Sequence, residues 1–134
     1  MIFKFKAYSG TTLENFLLCK IVLKDKLVFD KSRESRHLCD KVFFWPEEDK
    51  GFVNAAAYSV KVASHLNHRP LIMEGRVVSA YPPEIHADPS MKFFPVDKIY
   101  LMKDNVDPFS IGPWNEFHTN QAFYVVPLLD IISI

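Results

Sequence analysis

The sequence predicts a single α+β domain over residues 1–134. It should hold about six mostly antiparallel strands in a split or curved sheet, with two main helices. Three observations carry this expectation. Apolar and basic residues alternate through Phe3-Lys4-Phe5-Lys6-Ala7, the period of a half-buried strand. Apolar positions recur at helical spacing in two places, Leu13-Phe16-Leu17-Ile21 and Val53-Ala56-Val60-Ala63. The rest is short runs of β-formers broken by nine prolines and four glycines, with no internal repeat.

The composition fits a compact fold. Apolar residues make up 49% of the chain, and 16 Lys and Arg balance 16 Asp and Glu. A disordered chain would have fewer of the first and more net charge. The neutral balance gives no general attraction to nucleic acid or anionic membrane. Twelve Phe, five Tyr and two Trp imply a thick aromatic core, a ring-lined groove, or both. Cys19 and Cys39 form no metal-type pair and suit a reducing compartment. The opening MIFKFKAY lacks the apolar core of a signal peptide, and no apolar run approaches a membrane span. The expected compartment is the cytoplasm.

In chain order, the first strand should end in a tight turn at Ser9-Gly10. Thr11 should then cap a helix, with Glu14 at capping-box spacing. Such a strand-to-helix turn exposes backbone N–H groups suited to an anion or ribose-phosphate. The helix should run to about Leu23, followed by a short strand or extended piece at Leu27–Phe29. Asp30–Asp40 is the most polar stretch and reads as an exposed loop, with Arg33 and Arg36 as candidate anion contacts. Lys41–Trp45 reads as a buried strand ended by Pro46. Acidic residues 47–49 precede a helix over about Phe52–Leu66, whose Ala55-Ala56-Ala57 allow close packing on a sheet. Leu71–Ser79 has strand composition, with Gly75 marking a bulge or a close approach. Ala80–Pro95 holds four prolines and reads as an extended surface connection. Val96–Met102 returns as a strand, and Lys103–Asn120 reads as irregular. Gln121–Val126 and Leu128–Ile134 read as two final strands.

Local motifs offer little chemistry. His65 and His68, or His86 with Asp88, lack the three or four converging ligands of a zinc site, so no metal is expected. Ser79, Ser110 and Cys39 have no nucleophile-elbow pattern. Glycines at 10, 51, 75 and 112 build no phosphate-binding loop. The carboxylates Glu74, Glu84, Asp88 and Asp97 fall on or near expected strands, where a buried one serves as an acid, a base or a cation stabiliser.

The order of pieces resembles the ADP-ribosyltransferase fold over about Ala7–Met102. Tyr8-Ser9-Gly10-Thr11 resembles the family's Tyr-His-Gly-Thr at the end of its first strand. Val42–Trp45, the Ala-rich helix with Tyr58, the strand after Arg69-Pro70, and Pro95–Ile99 follow in the family's order. The resemblance implies an NAD-binding domain with impaired or altered catalysis. Tyr8, Ser9, Gly10 and Thr11 would contact the ribose or amide. Phe43, Phe44 or Tyr58 would pack on the nicotinamide ring, and Asp88 or Glu74 would stand in for the family's acid. Three departures motivate the altered catalysis. Ser9 stands where the family has His or Arg, the Phe43-Phe44 pair where it has Tyr or Ser, and residues 90–94 contain no Glu. Loss of a charge-stabilising group costs orders of magnitude in rate. The alternative is a non-enzymatic interaction module, an inhibitor, immunity or regulatory protein. It would bind a protein partner through Tyr81, Phe109, Trp114 and Phe117 on the irregular loops.

Overall fold

The computed structural model describes residues 1–34, 41–80, 82–83, 90–104 and 114–132. Its elements confirm the α+β class, and every strand pairing among the described residues is antiparallel. The strands are β1 (Phe3–Thr12), β2 (Lys20–Leu23), β3 (Lys26–Asp30), β4 (Val42–Phe43) and β5 (Trp45–Pro46). They continue with β6 (Pro70–Ser79), β7 (Ser90–Met91), β8 (Phe93–Val96), β9 (Lys98–Met102) and β10 (Phe123–Val126). Among the described residues four α-helices join them: α1 (Leu13–Cys19), α2 (Gly51–Leu66), α3 (Glu116–Ala122) and α4 (Leu128–Ile132).

A five-stranded sheet in the order β10-β9-β6-β1-β5 forms the middle layer. β1 and β6 pair along their whole length, from Phe3 opposite Ser79 to Thr12 opposite Pro70. Successive strand residues point to opposite faces, so this one register assigns two cores. Phe5, Ala7, Leu71, Met73, Val77, Ile99 and Leu101 face a second sheet, β2-β3-β8, and helix α1. Leu27, Phe29, Phe94 and Val96 from that sheet, with Phe16 and Cys19 from α1, complete this core. Tyr8, Ile72 and Met102 face the other way, against Ala55, Ala56 and Val60 of α2 and Ala122 and Phe123. A fully buried Phe or Leu contributes about 1.5–3 kcal/mol by leaving water, so both faces hold the sheet in place.

Several boundaries differ from those the sequence predicts. No turn occurs at Ser9-Gly10: β1 runs straight through to Thr12, and no glycine among the described residues has positive φ. Gly10 is required for packing instead. A Cβ there would collide with the Ala55 carbonyl oxygen and lie 2.9 Å from the Ser59 nitrogen, so α2 rests directly on β1. The cap of α1 is Thr12, not Thr11, and its side chain accepts from the Asn15 N–H at 3.1 Å. Glu14 turns away to accept from the Arg69 N–H.

The first helix stops at Cys19, because Lys20–Leu23 pairs with Lys26–Phe29 as a hairpin. Lys41–Trp45 divides between β4 and β5, which join different sheets. Gly75 makes no bulge, since the β1–β6 register is unbroken; it admits the Pro95 carbonyl of the crossing strand β8. Phe93–Val96 is therefore a strand and not a surface connection, with Pro95 tolerated on a sheet edge. Glu116–Ala122 is helical, capped by the Asn115 side chain, where the sequence predicts irregular structure over residues 103–120 and a strand beginning at Gln121. Leu128–Ile132 is helical and not a strand. No helix among the described residues is long and apolar enough to cross a membrane.

Candidate functional site

A cleft of about 710 Å³ opens beside the second half of β1. Its origin is topological. On one edge β1 pairs with β6 throughout, but on the other edge β5 pairs only with Ala7 and Tyr8. From Ser9 to Thr12 no strand among the described residues pairs with this second edge. In an antiparallel strand alternate residues turn their N–H and C=O groups to opposite edges, so this stretch points backbone donors and acceptors at the cleft.

The walls come from three directions. Ser9, Gly10 and Thr11 form the floor, and Tyr58, Val62, His65 and Leu66 of α2 form one side. Lys41, Val42 and Phe43 close one part of the other side; Asn15, Phe29, Lys31 and Glu34 close the remainder. The buried Ser9 hydroxyl donates to the Phe43 carbonyl at 2.7 Å, which ties β4 to β1 just past the end of β5. Tyr58 leans on Trp45, their rings 5.6 Å apart.

The cleft has a polar axis. Tyr8 packs on Phe52, Gly10 on Ala55 and Ser59, and Thr12 meets His68, so β1 and α2 run in the same direction. One end is aromatic, with Phe43 and Tyr58. The other gathers Asn15, Lys31, Glu34, His65 and His68. At 1.5 Å per helical residue, Tyr58 and His65 stand about 10 Å apart along α2. Glu34 is buried and accepts from the Asn15 amide at 2.8 Å, and it pairs with Lys31. A buried carboxylate needs such partners to stay charged.

The sequence-derived site residues divide. Ser9, Gly10, Thr11, Phe43 and Tyr58 converge on the cleft. Tyr8 and Phe44 do not: Tyr8 lies in the α2-side core, and Phe44 packs between Phe5 and Phe94 in the other. Glu74 lies outside the cleft, directly across from Tyr8 on the α2 face of the sheet. It accepts a 2.7 Å hydrogen bond from the Tyr100 hydroxyl. Burial, with the Glu74 charge next in weight, pushes the Tyr8 hydroxyl well above the ordinary tyrosine range. Burial and the hydrogen bond to Glu74 do the same to Tyr100. Asp88, Tyr81, Phe109, His86, Arg36 and Cys39 lie outside the described residues. Arg33 turns back to donate to the Lys20 carbonyl and does not line the cleft. Trp114 is half-buried against Phe123, while Phe117 is 64% exposed.

Sequence reasoning missed Thr12, Asn15, Lys31, Glu34 and His68 as one group. The His65/His68 spacing was the visible signal, and both residues do line the cleft, although His68 lies beyond the end of α2. Among the described residues no three His, Cys, Asp or Glu side chains gather as metal ligands. The expected anion site at the start of α1 is largely occupied. The Leu13 N–H donates to the Arg69 carbonyl at 2.8 Å and the Asn15 N–H to Thr12. No family model matches this chain, and neither does any curated protein or solved structure.

Proposed function

We propose that the cleft beside β1 binds a nucleotide-type ligand, with NAD as the candidate that the ADP-ribosyltransferase-like order of elements suggests. One observation carries this reading. Ser9, Gly10, Thr11, Phe43 and Tyr58, expected from sequence to contact NAD, line a single cleft of about 710 Å³. Ligand pockets typically occupy about 300–1,000 Å³. In this reading Phe43 and Tyr58 take the ring, the free edge of β1 takes amide and hydroxyl groups, and the polar end takes the phosphates. Glu34, and not Glu74, is the acid of the site. Its oxygens are already oriented by Asn15 and Lys31, which suits holding a ligand hydroxyl more than shuttling a proton.

Titration with NAD, followed by tryptophan fluorescence or calorimetry, tests the proposal. A saturable signal is expected, weakened at least tenfold by Tyr58→Ala or Phe43→Ala. Both side chains are at least partly exposed, so these variants should fold. Absence of binding at millimolar NAD would overturn it.

A second reading, a protein-interaction module, draws on exposed apolar side chains near the C-terminal end. Phe117 is 64% exposed, Val125 50% and Leu129 77%. Apolar side chains left in water are candidate anchors for a partner. Affinity capture from the native host distinguishes the two readings. A stoichiometric partner retained by Tyr58→Ala and lost on Phe117→Ser would favour the interaction module.

A further inference from the structure

The polar end of the cleft contains a hydrogen-bond relay that fixes the state of one ring. Thr12 is fully buried, and its Oγ1 accepts from the Asn15 N–H at 3.1 Å as the cap of α1. The same oxygen lies 3.0 Å from Nδ1 of His68. A buried hydroxyl must place its own proton on an acceptor or lose about 1–3 kcal/mol. Among the described residues the acceptor within reach of the Thr12 hydroxyl is His68 Nδ1. The reverse arrangement, with the ring donating, would give Oγ1 two donors and strand its proton. With the Thr12 hydroxyl donating, Nδ1 is the acceptor nitrogen and Nε2 the one that carries a hydrogen.

The backbone around His68 is fixed as well. Asn67 ends α2 in the left-handed region, at φ 56°. The Leu13 N–H donates to the Arg69 carbonyl at 2.8 Å, and the Arg69 N–H donates to Glu14 at 3.1 Å. The Arg69 guanidinium is held by the Met102 carbonyl at 2.7 Å and by Asp104. His68 is therefore a half-buried cleft residue on a clamped segment, with one ring nitrogen committed to protein and Nε2–H uncommitted among the described residues. Around it the cleft carries His65 and the Lys31–Glu34 ion pair, while Lys41 lies beside Val42 and Phe43 on the opposite wall.

We infer that His68 Nε2–H is the oriented donor to a phosphate oxygen of the cleft's ligand, with Thr12 acting as a positioning residue through Nδ1. The inference rests on the cleft reading above in taking a phosphate ester as the occupant of this end. Pre-orientation is the source of its selectivity. A donor locked before binding loses little rotamer freedom when the ligand arrives.

Nitrogen-15 spectra of the histidine rings test it, with His68 assigned from His68→Gln. The free protein should show Nδ1 unprotonated and Nε2 protonated at His68. Inorganic pyrophosphate should then shift the Nε2–H signal saturably. Affinity should fall about tenfold in His68→Gln and in Thr12→Val, whereas Thr12→Ser keeps it within about twofold. His68→Gln, at a half-buried position, keeps the test valid should Thr12→Val fail to fold. An Nδ1–H tautomer, or pyrophosphate binding unchanged in His68→Gln, overturns the inference. Pyrophosphate binding without NAD binding supports it and removes the nucleotide reading. NAD binding that leaves the His68 ring unperturbed does the opposite.

Discussion

Replacing Gly10 with alanine separates two explanations for a glycine at this position. In the structure β1 is extended at Gly10, and what excludes a side chain is the backbone of α2. An added Cβ collides with the Ala55 carbonyl oxygen and stands 2.9 Å from the Ser59 nitrogen and 3.2 Å from the Ala55 carbon, against 3.4–4 Å for ordinary contact. These are backbone atoms, so no side-chain rotation relieves the clash, and α2 must move away from the sheet. Overpacking of a tight core costs about 1–3 kcal/mol, and a displaced helix belongs at the upper end. With unfolding entropy near 2.1 cal/mol/K per residue, about 3 kcal/mol lowers Tm by about 10 °C in a domain of this size. Thermal unfolding followed by circular dichroism measures it. Gly10→Asn sharpens the test, because asparagine tolerates left-handed backbone. If a turn conformation were the reason for glycine, asparagine would be milder than alanine. The structure requires it to be worse. A Tm loss below about 2 °C for Gly10→Ala, or a milder Gly10→Asn, would refute the close-packing argument.

Other consequences are equally measurable. Thr12→Ala removes the cap of α1 and should cost about 1 kcal/mol in urea unfolding, with Thr12→Ser recovering most of it. Lys31→Met leaves the buried Glu34 carboxylate with less compensation and should destabilise by about 1–3 kcal/mol, the lower part reflecting the 20% exposure of Lys31. Adding Glu34→Gln to Lys31→Met should restore part of that loss, and additivity of the two single effects would contradict a direct pair. The Cys19 thiol is pushed up to about 11 by burial, with the Glu34 charge second. The folded state therefore keeps this proton longer than the unfolded chain, so stability should fall as pH rises from about 9 towards 11. Cys19→Ala should flatten that part of the profile, and native Cys19 should react with thiol reagents at pH 8 only after denaturant is added.

The first strand, the main helix and the strand at residues 70–79 were legible because each presents its period over many residues. Val53-Ala56-Val60-Ala63 repeats for three turns, and tertiary contacts did not override it. Failures occurred where a local signal had two readings. Ser9-Gly10 looks like a turn, yet glycine serves equally well wherever two backbones touch. Ile21 continues the helical spacing of α1, but pairing opposite Val28 claims it for a hairpin. Leu128–Ile132 has strand composition and still coils, since short apolar runs do not distinguish the two states. In the site, the floor and the aromatic end could be anticipated from Tyr8–Thr11, Phe43 and Tyr58. The polar end could not. Asn15 and Glu34 are 19 residues apart, and Thr12 and His68 are 56 apart.

The sequence by itself determined the α+β class, the strand that carries the cleft floor, and the small-residue helix that covers it. Periodicity and side-chain size are properties of neighbouring residues, and they act before any long-range contact forms. Only the tertiary structure decided that β5 leaves β1 after Tyr8, opening an edge from Ser9 to Thr12. It alone sent Glu74 and Tyr8 to the helix-covered face while Ser9 and Thr11 kept to the cleft. Those outcomes follow from register, and a shift of one residue in pairing exchanges the two faces. The Asn15–Thr12–His68 relay is decided in the same way. Hydrogen-bond partners are chosen by which buried donors need an acceptor once the chain has closed on itself.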